Sequence, residues 1–190
     1  MGHSQAEKAE SRERILAAAS AQIRGQGLES LSVGKLMAEA GLTHGGFYGH
    51  FASRADLLAQ ALERALVDGE GGAKAANNAA RTGGLARFVR SYLSRTHRDA
   101  PQSGCAISAL ACDVGRADDA CREAMAAHIE GFIAGMTRSL GGDEAKGMAA
   151  VSAMVGALAL SRVMPDPKRS DAILRAVREV VTGMAVRYAA

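Results

Sequence analysis

At 190 residues the chain is longer than a typical single domain of ~100–150 residues and shorter than two, which suits one small and one medium domain. Its composition, 48% hydrophobic and 23% charged, excludes wholesale disorder, and three prolines among abundant Ala, Leu, Arg, Glu and Met favour an all-α fold. The net charge of +3 does not announce a nucleic-acid binder, because residues 1–66 hold seven Lys/Arg against seven Asp/Glu.

Residues 1–10 show no apolar periodicity and read as a mobile arm. From Ser11, a plausible N-cap, Ile15, Leu16, Ala19 and Ile23 recur at helical spacing, and Gly25 and Gly27 close this first helix. Ser32 precedes a short amphipathic helix through Val33, Leu36, Met37 and Ala40 that stops at Gly41. Thr43 then opens a third short helix running through Phe47, Tyr48 and Phe51. Ser53 and Asp56, three residues apart, imitate a capping box ahead of Leu57, Leu58, Ala61, Leu62, Ala65 and Leu66, a longer helix over 53–67 that leaves the small domain.

The glycine- and asparagine-rich stretch 68–84 predicts a flexible connection. Leu85, Phe88, Val89, Tyr92 and Leu93 mark a helix that ends before Asp99, Pro101 and Gly104, and residues 105–115 read as a short buried helix. A long apolar stripe then runs from Cys121 through Met125, His128, Ile129, Phe132 and Met136 to Leu140. Residues 143–163 and a last helix capped by Ser170 are apolar on more than one face, which predicts partners on several sides and a homodimer through 143–163 and 170–188.

The run SVGKLMAEAGLTHGGFYGHF has the anatomy of a helix-turn-helix: short helix, glycine turn, short helix. Gly41 would supply the left-handed turn, and Leu36, Met37, Leu42, Phe47 and Phe51 the wedge that fixes the interhelical angle. Thr43, His44, Tyr48 and His50 stay on the polar face, where such side chains reach base edges or phosphates in a major groove. Gly45 and Gly46, each costing ~1 kcal/mol in a helix, suggest close approach of the backbone to DNA.

Residues 12–62, from RERILAAASAQIRGQG to ASRADLLAQAL, closely resemble the N-terminal domain of TetR-family regulators, whose Phe-Tyr-x-His-Phe signature stands at Phe47–Phe51. The resemblance implies that Thr43, His44 and Gly45 face bases, that Tyr48, His50 and Arg54 hold phosphates, and that Lys35 is a weaker contact. Gly46 and Gly49 stand where many relatives carry bulkier residues, and Arg54 where many carry Lys, so operator preference does not transfer. The resemblance fades after about residue 66. It implies helices around an effector cavity and a dimer built from the last two long helices.

These readings divide the chain into an arm and DNA-binding domain over 1–52 and a helical effector-binding and dimerisation domain over 53–190. The expected function is a cytoplasmic, ligand-responsive transcriptional repressor on double-stranded operator DNA, without cofactor or metal. Its effector is expected to be largely apolar, lined by Phe88, Tyr92, Cys121, Met125, His128, Phe132, Met136 and Met154, since thioether and aromatic chains adapt to apolar ligands. Each of these has a plain core reading beside it; His128 in particular can be a satisfied core histidine. Cys105, Cys112 and Cys121 lack CxxC spacing and are expected to be buried, inert thiols, with redox or electrophile sensing as the alternative function. No nucleophile, metal or phosphate-cradling motif indicates an enzyme, and neither a signal peptide nor an apolar run of ~18 residues indicates a membrane.

Overall fold

The computed structural model describes residues 5–69, 73–82 and 84–186. Helix α1 (Gln5–Gln26) starts well before Ser11. The segment QAEKAE is made of good helix formers with Glu7 in the first turn, so local propensity and the helix dipole extend the helix into most of the expected arm. Residues 1–4 of that arm lie outside the described residues. The face carrying Ile15, Leu16, Ala19 and Ile23 is buried against α3 (Arg54–Asp68), through Leu57, Ala61 and Leu62.

Between them sit a 3-10 turn (Leu28–Ser30), α2 (Val33–Glu39) and a second 3-10 segment (His44–Gly49). Helix α2 ends at Gly41, whose φ of 73° lets the Gly41 and Leu42 amides return to the carbonyls of Ala38 and Met37 at 3.0 and 2.8 Å. Ser32 occupies the N-cap of α2 in extended conformation without a side-chain cap bond. At α3 the cap forms: Ser53 Oγ accepts from the Asp56 amide at 3.0 Å, and Asp56 Oδ2 accepts from the Ala52 amide at 2.9 Å.

Beyond α3 the chain holds α4 (Ala73–Thr82), α5 (Leu85–Tyr92), α6 (Arg95–Asp99), α7 (Ala106–Val114), α8 (Asp119–Ser139), α9 (Glu144–Val163) and α10 (Pro167–Val186). Helix α4 stands inside the stretch expected to be a flexible connection, of which residues 70–72 and 83 lie outside the described ones. Its small residues serve close packing instead: Ala76 and Ala79 are buried, and a Cβ at Gly135 of α8 would sit 2.9 Å from Ala76 Cβ and 3.0 Å from the Asn77 nitrogen. Asp118 and Asp143 cap α8 and α9 by accepting from the amides of Cys121 and Lys146 at 2.8 and 3.0 Å.

Helix α10 starts at Pro167, three residues before the expected Ser170 cap. Ser170 is buried and donates to the Ser161 carbonyl at 2.6 Å, tying α10 to α9. Helix α9 is long and apolar enough to cross a membrane by composition, yet it buries Ala150, Val151, Met154, Ala157 and Leu158, and it packs against α8 and α10.

Polar ties join the N-terminal helices to the rest of the chain. Arg24 of α1 is buried; it donates to the Gln102 carbonyl at 2.7 Å, Ser20 Oγ at 2.9 Å and the Ala65 carbonyl at 3.2 Å. The Leu28 amide donates to Asp113 Oδ2 of α7 at 3.1 Å, beside Gly27 at φ 87°. The positive φ favours glycine at position 27, and a Cβ there, 2.8 Å from that oxygen, would push the Asp113 carboxylate aside.

Candidate nucleic-acid interface

Phe47 and Phe51 are the anchors of the recognition segment. Both are 2% exposed, their rings stack at 5.7 Å, and they lie with Leu36 and Met37 in the hydrophobic core. With those two rings pinned inward, Thr43, His44, Gly45 and Tyr48 are left on the surface, and Tyr48 is 73% exposed. An aromatic ring so exposed has lost the burial that would favour it, which suits a side chain held ready for a partner.

The recognition segment is a 3-10 helix from His44 to Gly49, rather than a regular helix reaching Phe51. Gly46 donates to the Thr43 carbonyl and His50 to the Phe47 carbonyl, at 3.0 and 2.9 Å, the i to i−3 pattern of the tighter helix. Three glycines in six residues weaken the α-helical alternative. None of them has positive φ, and a Cβ at Gly45 or Gly49 would meet nothing within 4 Å. Neither backbone conformation nor crowding inside the protein therefore explains these two glycines.

His50 is half-buried, and its Nδ1 has no hydrogen-bond partner. Its pKa is pushed below the ordinary 6.5 by partial burial first and then by the positive charges of Lys8 and Arg12. These two α1 residues thus stand beside the recognition segment; sequence reading missed Lys8 because it treated residues 1–10 as an arm, and it gave Arg12, in the helix from Ser11, no role. The signal was available: Lys8 and Arg12 are four apart, on one face of a helix once α1 extends that far. Arg12 is partly committed, stacking over Phe51 at 5.2 Å and bonding Gln60.

Lys35 is exposed on α2. Arg54 is exposed at the start of α3, with one N–H given to the Leu31 carbonyl at 3.2 Å. Lys8 thus stands beside His50, whereas Lys35 lines a separate groove with Gln22, Gly25 and Gln102, and Arg54 leans on the Leu31 carbonyl.

Residues 15–61 match the sequence profile of bacterial regulatory proteins of the tetR family. Solved structures share the fold over nearly the whole chain. The reduced form of NemR from E. coli superposes with a TM-score of 0.76 at 18% identity, covering 92% of this chain and 96% of that one. SCO4454, a TetR-family transcriptional regulator from Streptomyces coelicolor, gives 0.68 at 24% identity over 93% and 97%. Residues 15–61 thus carry the N-terminal domain of the tetR family, on a fold shared with these structures over nearly the whole chain.

The multidrug binding protein EbrR, solved with proflavin, gives a TM-score of 0.59 at 26% identity over 92% of this chain and 99% of that one. Among curated proteins no sequence matches. Most of the expected effector-pocket residues lie in the packed core. Phe88, Tyr92 and Phe132 form an aromatic cluster with centroids 5.7–6.0 Å apart, and Cys121, Met125, Met136 and Met154 are buried with them. His128 is half-buried, and it alone of the eight lines an open groove of about 1190 Å³ with Val67, Lys74, Asn78, Arg81 and Ser91. Burial lowers its pKa from 6.5.

Two of the three cysteines are buried as expected; Cys112 is exposed. Burial and the neighbouring Asp118 push the Cys121 thiol up to about 11, which keeps it protonated and unreactive. Among the described residues no group of His, Cys, Asp and Glu is arranged to hold a metal ion.

Proposed function

We propose that the chain is a transcriptional repressor that binds a palindromic operator as a dimer and is released by a small-molecule effector. The observation that carries this is the recognition segment, with Thr43, His44, Gly45 and Tyr48 exposed over the buried Phe47–Phe51 wedge. Thr43, His44 and Gly45 read bases; Tyr48, His50 and Arg54 hold phosphates, with Lys35 and Lys8 adding charge. Pairing through α9 and α10 is supported by apolar side chains left in water there: Leu160 is 57% exposed, Val163 73% and Val180 58%. Two recognition segments then stand about one DNA turn apart, ~34 Å. An effector that binds better to a conformation with the wrong spacing lowers DNA affinity by that difference.

The test is fluorescence anisotropy on duplex DNA from upstream of the chain's own gene, against a scrambled duplex, at near-physiological salt. Selective binding that weakens uniformly in Tyr48→Phe and changes sequence preference in His44→Ala supports the assignment. Equal, weak binding to both duplexes would sink it.

A second reading, release by thiol oxidation, is favoured by one arrangement. Cys105 is buried at the start of α7 with the Tyr92 phenol and the Arg162 guanidinium beside it. Arg162 donates to the His97 and Arg98 carbonyls and to Ser108 Oγ, at 3.1–3.2 Å, and has no carboxylate partner among the described residues. Loss of DNA binding in hydrogen peroxide that Cys105→Ser abolishes would establish it; unchanged release in that variant would dismiss it.

A further inference from the structure

The groove that contains His128 has a chemistry of its own. Residues 71–98 contain six Lys/Arg and no Asp/Glu. Arg95 and Arg98 pair with Asp171 and Asp99, but Lys74, Arg81, Arg87 and Arg90 have no ion pair among the described residues. Two of these uncompensated cations, Lys74 and Arg81, line the groove of about 1190 Å³ between the end of α3, α4, α5 and α8. They are seven residues apart on one helix face, about 10 Å along the axis.

Between and opposite them stand neutral hydrogen-bonding groups: Asn78 on α4, Ser91 on α5 and the His128 imidazole on α8. Asp68, the carboxylate on the groove wall, is engaged by Arg64 through an ion pair, so its charge is already answered. Val67, 69% exposed, adds an apolar wall at the end of α3. A concave site with unanswered positive charge, polar donors and one apolar wall is complementary to a small organic anion.

We infer that the groove bounded by Lys74, Arg81 and His128 is the effector site, and that its ligand is a small organic anion, a carboxylate or phosphate ester, rather than the apolar molecule expected from sequence. The inference rests on the repressor reading only for its consequence on DNA. That consequence has a short path: Val67, Asp68 and Gly69 end the helix that carries the DNA-binding domain, and Gly69 is pressed against the Gly104 carbonyl, where a Cβ would come within 2.8 Å. An occupant of the groove touches this end directly.

The test uses two fluorescent probes of one aromatic body, 1-anilinonaphthalene-8-sulfonate and its neutral parent N-phenyl-1-naphthylamine, titrated into the full chain. The anion is expected to bind saturably at one site per subunit, about tenfold tighter than the neutral probe, and to lose that advantage in the Lys74→Gln/Arg81→Gln variant. Both side chains are exposed, so the variant retains the fold, which its unchanged thermal unfolding verifies. Displacement by benzoate or by phenyl phosphate, with benzamide inert, identifies the acid group. Equal affinity for the two probes, or an anion affinity indifferent to the double substitution, overturns the site. Operator anisotropy without probe is recorded in parallel. Intact DNA binding with no anion site refutes this inference alone, whereas a working anion site without DNA binding refutes the repressor reading alone.

Discussion

His50 sits where two opposite pH effects meet. In the free protein its pKa is held below 6.5 by partial burial and by Lys8 and Arg12. The unfolded chain therefore takes up the proton first, and His50 contributes stability above pH 6.5 that is lost as pH falls from there through the folded value. A DNA phosphate at the same place favours the protonated ring. Operator affinity should consequently rise as pH is lowered from 7.5 to 6 while unfolding stability falls, and His50→Gln should flatten both trends; anisotropy and thermal melts across that range check the pair of signs. The glycines beside it give a second residue-scale expectation. Because a Cβ at Gly45 or Gly49 meets nothing within 4 Å, alanine at either site should stabilise the free protein by up to ~1 kcal/mol. Gly45→Ala should nevertheless weaken operator binding if, as proposed, the bare backbone at Gly45 approaches a base edge. If Gly45→Ala binds DNA as well as the parent, that role for Gly45 is wrong.

Among the elements, α3 is the one whose start is best defended. Ser53 and Asp56 each satisfy a backbone amide, and Gln60, which donates to Asp56 Oδ1 at 2.7 Å, is itself bonded by Arg12 of α1. Ser53→Ala should cost ~1 kcal/mol and lower Tm by a few degrees, and Asp56→Ala should cost more because it also loosens the α1 contact. This cap was legible in the sequence because Ser-x-x-Asp before an apolar run is a local signal. So was Gly41, whose left-handed φ of 73° the turn demands. What failed to show in the sequence depends on distant partners. The alanines of α4 look like a loose linker until Gly135 of α8 brings a bare backbone against them. Ser170 looks like a cap until Ser161 of α9 claims its hydroxyl. The stripe of Phe88, Phe132 and the methionines has the composition of an adaptable pocket and of a filled core alike, and only packing in three dimensions distinguishes them. The groove cations escaped notice for a simpler reason: Lys74 and Arg81 lay in a segment taken to be unstructured.

At the scale of the molecule, the proposed release of DNA requires that the N-terminal helices be neither free of the rest of the chain nor welded to it. Arg24 and Asp113 supply that intermediate grip through a few polar bonds, each worth ~1 kcal/mol net. On the proposed repressor reading, pairing of two chains would convert a tilt of the N-terminal helices into a change of spacing between half-sites, and this step places the strictest demand on α9 and α10. Leu160 and Val163 are three residues apart on α9, on neighbouring positions of one face, and both are largely exposed in the single chain. Replacing Val163 by Glu leaves the monomer's core untouched but would set two like charges near each other in an apolar interface. The variant should sediment as a monomer with unchanged helicity, and its operator affinity should fall to that of a single half-site, with the loss reported by anisotropy on full and half operators. The half-site duplex separates the two ways of failing. If binding to the half-site survives while the full-site advantage disappears, α9 joins the two subunits and DNA recognition is local to each. A Val163→Glu chain that stays dimeric would instead move the interface to another face, and the spacing mechanism with it.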